Sequence, residues 1–290
     1  MHRHLNSGRG LGLTLVLLAS YMVAEVIGGL LSGSLALLAD AGHMLADVGA
    51  LALSMFAIRM AARPATAQRT YGYYRAEILA ALVNGSALVA IAVFVLVEAA
   101  GRIASPPQVL AGTMLTVAVG GLAVNLAGMA ILGRSRNESL NLRGAWLHLA
   151  SDALGSLGVI TAGLLVWTYG WQWADPVASV LIAILVVHSA WNLIKEAVAV
   201  LMEGSPGHID VDKVRDAILE LDSVLEVHDL HVWTIASGLE ALSGHVVTTE
   251  SAADQTVLSE VRAILHEHFS IDHITVQIEK ADFVEPKLCP

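Results

Sequence analysis

Two short stretches of this chain carry the same chemistry at the same spacing. "HMLAD" gives His43 and Asp47, and "HLASD" gives His148 and Asp152. Residues four apart project from one face of a helix, one turn from each other. Each stretch therefore offers one imidazole and one carboxylate, and the two brought together offer two nitrogens and two oxygens, a set suited to four-coordinate zinc. Both stretches sit in strongly apolar surroundings, where a charged side chain costs about 2.5–3.5 kcal/mol at the centre of a bilayer. A lone histidine in such a helix is ordinarily a hydrogen-bonded packing residue. Two such pairs in separate helices are harder to dismiss, and Gly42, Gly49, Gly144, Gly155 and Ser156 leave room for helix backbones to approach. Charge adds a mechanism. A dication with two aspartates and two neutral imidazoles sums to zero, so the loaded set can be shut away from water. The empty set is doubly negative and takes up protons, so metal and protons exchange places.

The elements that position these residues follow from composition. The chain has 290 residues, 56% hydrophobic and 14% charged, with a mean hydropathy of +0.66. Apolar runs at about 11–31, 35–59, 78–101, 110–133, 143–169 and 173–200 each approach or exceed the roughly 20 residues of a spanning helix, so six spans are expected. Arg3 and Arg9 precede the first span. Arg59, Arg63, Arg69 and Arg75 follow the second, Arg134, Arg136 and Arg143 follow the fourth, and the opposite side has Arg102. Short basic loops stay in the cytoplasm, which places both termini inside. No cleavable-signal pattern follows the first span, which reads as a retained helix.

From about Gly204 the composition changes. Residues 204–290 hold 16 acidic against 5 basic side chains, a net of −11, and residues 1–203 hold 10 against 11, a net of +1. Two domains are expected, a transport domain over 1–203 and a tail over 204–290. The acidic tail suits a cationic partner and argues against nucleic acid. Its pattern reads as helix (211–221), strand (227–235), strand (239–248), helix (254–269) and strand (274–280), with a hairpin at "ASG", making a small α+β sandwich that a dimer would help to stabilise. Cys289 is the lone cysteine and excludes an intrachain disulfide.

The paired motifs in the second and fifth spans, "TYGYYRAEILAALVNG" opening the third, "ADP" at Ala174 to Pro176, and "VHDLHVW" in the tail resemble the cation diffusion facilitator family of metal exporters. The resemblance covers essentially the whole chain. It implies a six-helix membrane bundle, a cytoplasmic ferredoxin-like, metallochaperone-like tail, a homodimer, alternating access, and proton-driven export of zinc across a bacterial inner membrane. It places His43, Asp47, His148 and Asp152 at the transport site, with histidine beside aspartate in the second span going with preference for zinc over cadmium. It also places His228, His245 and Glu279 at tail metal positions, with Asp272 as a further ligand by looser resemblance. The sequence leaves open whether His231 replaces or joins His228, and Cys289 is either a soft ligand or, the preferred reading, part of a frayed C-terminus. Metal bound there would favour the tail dimer and a transport-competent arrangement. Arg75 is expected to pair with Asp210 or Asp212. Tyr74 stands where many members carry a histidine, and "GRSRNESLN" lacks a histidine-rich run, so neither is expected to gather metal.

Other polar residues divide between roles. Asp40 either steers released cations or hydrates a helix end, and Glu25 and Asn84 supply hydrogen bonds to the site or relay protons. Asn84 and Asn125 read as packing residues, His188 as a core histidine, Asp175 as a cap on its own helix, and His266, His268 and His273 as solvated. Zinc enters as substrate and possible regulatory ligand, protons as counter-ion, and membrane lipid as surroundings. Alternatives are an exporter of a wider range (cadmium, cobalt, iron, nickel), and a zinc sensor without transport. An enzyme is disfavoured, because four ligands close the shell and no HExxH occurs.

Overall fold

The computed structural model describes residues 2–133 and 140–282, with side chains from residue 16 onward except those of 50, 51, 54, 58 and 140–145. Cys289, Arg134 and Arg136 lie outside the described residues, as do the side chains of Arg3, Arg9 and Arg143. Six long helices come first: α1 (His2–Ser32), α2 (Leu35–Ala61), α3 (Ala76–Ala104), α4 (Ala111–Gly133), α5 (Leu140–Tyr169) and α6 (Ala174–Leu201). Among the described residues four of them, α3, α4, α5 from Trp146, and α6, are long and apolar enough to cross a membrane, and Val16–Ser32 of α1 is a shorter apolar stretch. The tail follows as α7 (Val211–Leu219), β1 (Val224–Ala236), β2 (Leu239–Thr248), α8 (Asp254–Phe269) and β3 (His273–Lys280).

The chain forms two compact units, residues 1–55 with 83–194, and residues 56–82 with 195–290. In the first, one apolar cluster joins α2, α3 and α6 through Leu35, Ala39, Leu88, Val95, Ala183 and Val186. Another joins α2 and α6 to α4 and α5 through Leu37, Met114, Val159, Val166 and Ala178. Glycine lets α1 and α4 close up: a β-carbon on Gly121 would lie 2.5 Å from the Tyr21 hydroxyl, and one on Gly28 would lie 2.5 Å from Val117. The Tyr21 hydroxyl donates to the Val117 carbonyl at 2.6 Å.

The chain turns from α1 into α2 at Gly33, whose φ of +73° suits glycine. The start of α2 is capped from another helix. Asp175, expected to cap its own helix, lies in the first turn of α6 but accepts from the Leu35 N–H at 2.8 Å, the Ala36 N–H at 3.2 Å and the Ser34 hydroxyl. Those N–H groups open α2 and have no partner within the helix, and a buried carboxylate satisfies them better than a water-facing group does. Arg102 of α3 donates to the Gly33 carbonyl at 2.6 Å at the same turn.

In the second unit, β1 and β2 form an antiparallel hairpin through Gly238 (φ +71°), and β3 adds parallel to β2, giving the order β1-β2-β3. Helices α7 and α8 bury Val214, Ile218, Val257, Val261 and Leu265 against Val227, Val232, Leu242 and Val246. Strand alternation then sends His228, His245 and Glu279 to the opposite face of the sheet. Asp210 caps α7, accepting from the Asp212 and Lys213 N–H groups.

Candidate metal centre

Helices α2 and α5 bring the two His-x3-Asp pairs together. The His43 Nε2 lies 3.8 Å from an Asp47 oxygen and 3.6 Å from an Asp152 oxygen, and the His148 Nε2 lies 3.2 Å from Asp47 and 3.5 Å from Asp152. The two rings stand edge to face with centroids 5.9 Å apart. Zinc bonds to nitrogen and oxygen of about 2.0 Å place tetrahedral ligand atoms about 3.3 Å apart. The four N···O separations lie at 3.2 to 3.8 Å around that edge, but Asp152 faces His43 with Oδ1 and His148 with Oδ2, so it is His43, Asp47 and His148 whose single ligand atoms gather closely enough to hold one ion.

Access is uneven across the four. Asp152 is 9% exposed, whereas His43, Asp47 and His148 are 25%, 38% and 41% exposed. The His43 Nδ1 is buried with no hydrogen-bond partner among the described residues, so its ring is aimed by packing and by the carboxylates facing Nε2.

The second unit holds another cluster. His228 and His245 are directly opposed across β1 and β2, with ring centroids 5.1 Å apart. Glu279 reaches both, at 3.3 Å from the His228 Nε2 and 3.0 Å from the His245 Nδ1. Asp229, which the sequence did not single out, comes within 3.8 Å of the His245 Nε2. It sits at a register shift between His228 and His231 with φ of +48°, and an irregular turn of this kind inside a strand leaves no periodic signal.

Three expectations for the tail are corrected. Asp272 stands apart from the cluster and binds the His266 Nδ1 at 2.7 Å instead. His231 turns to Asp229 at 2.9 Å and lines a cavity of about 560 Å³ with Tyr71, Arg75, Trp233 and Ser243, rather than joining His228. Arg75 donates to Glu203 at 3.0 Å, while Asp210 caps α7 and Asp212 accepts from Arg215. Next to it Glu77 accepts from the Ser237 hydroxyl at 2.9 Å, a contact between two stretches far apart in sequence.

With this geometry in place, similarity to known proteins decides the family. The family model for the cation efflux transmembrane domain matches residues 12–202, and that for the cation efflux protein cytoplasmic domain matches residues 206–281. The chain belongs to the cation efflux family. Among relatives of this cation efflux protein, the cadmium, cobalt and zinc/H⁺–K⁺ antiporter of Bacillus velezensis is 44% identical over 97% of this chain and 92% of that one. The metal cation efflux system protein CzcD of Cupriavidus metallidurans is 43% identical over 97% and 90%, and the zinc transporter ZitB of Escherichia coli is 39% identical over 94% and 88%. The metal-bound C-terminal domain of the CzcD transporter is 36% identical over 24% of this chain and 99% of that domain, with a TM-score of 0.24. Membership makes the cation efflux chain an integral membrane transporter rather than an enzyme.

Proposed function

We propose that this cation efflux protein exports zinc from the cytoplasm in exchange for protons, by alternating access at a site made of His43, Asp47, His148 and Asp152. The observation that carries the reading is the meeting of the two pairs from α2 and α5: His43, Asp47 and His148 bring one ligand atom each close enough for a single ion, and Asp152 faces both imidazoles at 3.6 and 3.5 Å. Its charge supports exchange, because the loaded set is neutral and the empty set attracts protons. Relatives named as zinc transporters and as a zinc/H⁺–K⁺ antiporter support the same substrate and counter-ion.

In this reading α1–α6 span a bacterial inner membrane six times with both termini in the cytoplasm. Residues 1–203 form the transport domain and residues 204–290 a ferredoxin-like tail that pairs two copies of the chain. The junction between the two matched family regions supports that division. His228, His245 and Glu279 hold regulatory zinc in the tail, where bound metal offsets acidic charge and favours the dimer.

Zinc uptake into proteoliposomes, with and without an imposed pH gradient, tests the proposal. Gradient-dependent flux that disappears in Asp47→Ala and Asp152→Ala is expected. Zinc binding without flux in the unsubstituted protein would instead make it a sensor. Cadmium and cobalt, run in parallel, set the metal range.

A further inference from the structure

Glu279 of the tail is gripped by more than two imidazoles. Its Oε1 lies 3.0 Å from the His245 Nδ1 and accepts from the Gln277 Nε2 at 2.8 Å, and its Oε2 lies 3.3 Å from the His228 Nε2. Gln277 stands two residues before Glu279 on β3, so strand alternation puts both side chains on the face turned away from α7 and α8. Ile274, Val276 and Ile278 pack on the core from the other face. The ladder sets Gln277 opposite His245 of β2. Gln277 is itself exposed and adds nothing to the apolar core, so packing of the tail does not call for an amide at this place.

The backbone beside Glu279 is already pinned. Its carbonyl accepts from the Thr248 hydroxyl at 3.3 Å, and Lys280 donates to the Ala252 carbonyl and to Asp254, both at 3.0 Å. Those contacts leave the flexible glutamate side chain to be ordered by its own partners. A carboxylate can offer a cation one oxygen or both. The amide N–H on Oε1 narrows that choice: it fixes the plane of the carboxylate and keeps Oε1 engaged, leaving Oε2, turned to His228, as the oxygen for an ion. His228, His245 and Glu279 each bring one ligand atom within 4.8 Å of the others, close enough to hold a single metal.

We infer that Gln277 is a positioning residue that sets the metal preference of the tail cluster, holding Glu279 to binding through one oxygen and so favouring zinc over the larger cadmium. Two imidazole nitrogens, one carboxylate oxygen and a water complete the four-coordinate shell that suits zinc. Cadmium has the same charge and a larger radius, and gains more from a carboxylate that chelates through both oxygens, the mode open to large cations with many ligands. Releasing Glu279 from the amide makes that mode available, which serves cadmium and leaves zinc with a less ordered ligand.

This role rests on the reading of the tail as a metal site, and the experiment keeps the two failures apart. Zinc and cadmium affinities are measured by competition with a chromophoric chelator on the full-length chain carrying His43→Ala, Asp47→Ala, His148→Ala and Asp152→Ala, which leaves the tail cluster to bind. In that background Gln277→Leu is expected to weaken zinc binding at least about tenfold and cadmium binding less than about threefold, shifting the preference toward cadmium. Thr275→Leu, on the same face of β3 but farther from Glu279, is expected to change neither. Tryptophan-fluorescence melting checks that each variant folds; where the fourfold background does not, the same comparison is made on the otherwise unsubstituted chain by titrating through both sites. Equal losses for zinc and cadmium in Gln277→Leu, an unchanged zinc affinity, or the same shift in Thr275→Leu each overturns the inference. Zinc binding in the fourfold background that survives Glu279→Gln overturns the tail-metal reading itself.

Discussion

Replacing Asp175 by alanine strips the start of α2 of its acceptor. The carboxylate takes hydrogen bonds from the Leu35 and Ala36 N–H groups and from the Ser34 hydroxyl, in a buried position that water does not reach. The hydroxyl can re-aim, since its oxygen already accepts from the Leu37 N–H at 3.2 Å. Two backbone donors cannot. Each buried, unpaired donor costs about 1–3 kcal/mol, so a loss near 3 kcal/mol is expected, larger than for an exposed helix cap. For a chain of this size that is a fall in Tm of about 6–12 °C. Asp175→Asn keeps one acceptor oxygen and should fall between the two. Melting followed by tryptophan fluorescence on the full chain in detergent reads the effect. Zinc affinity should weaken as well, because His43 lies about 12 Å along the same helix from the capped end. If Asp175→Ala melts within about 1 °C of the unsubstituted protein, the cross-helix cap does not hold α2 as described.

Three other outcomes are expected. His148→Ala leaves three ligands and should weaken zinc binding at least about 100-fold by competition titration, with an unchanged affinity excluding the α2–α5 set. Zinc affinity should fall steadily as pH falls from about 7.5 to 5.5, since an imidazole must be neutral to bind metal; a flat profile contradicts the ligand assignment. Gly121→Ala drives a methyl into the Tyr21 phenol and should destabilise by about 1–3 kcal/mol, whereas Gly101→Ala, with nothing within 4 Å of its new methyl, should be neutral or stabilising; equal melting temperatures would refute the close approach of α1 and α4.

What could be read from the sequence followed from period. The i, i+4 spacing in "HMLAD" and "HLASD" puts each pair on one face whatever the helix packs against, so each pair was legible without coordinates, while the meeting of α2 with α5 is a fact of packing. Tail elements were legible for the same reason, and the bounds Leu239–Thr248 and Asp254–Phe269 agree at both ends. Partner choice was not legible, because it depends on which groups are already engaged. Asp210 and Asp212 looked available to Arg75 until α7 claimed one as a cap and Arg215 took the other. Asp272 looked like a tail ligand until His266 took it. Asp175 sits where a helix caps itself, and only the meeting of α2 with α6 redirects it. Asp229 owes its place beside His245 to a bulge that no alternation announces.

The apolar clusters give the metal set a seam. Asp47 and His43 belong to the slab of α2, α3 and α6, and His148 and Asp152 to the slab of α4 and α5 with α1 alongside. Near Leu37, Val166 and Ala178 the slabs are sewn together by packing and by Asp175. Toward Leu132 and Leu149 the buried side chains join α1, α4 and α5 alone among the described residues. Buried apolar packing thus ties both slabs at the Leu37 end and one slab to itself at the Leu132 end among the described residues, and the ligand side chains lie on the two helices, α2 and α5, that belong to different slabs.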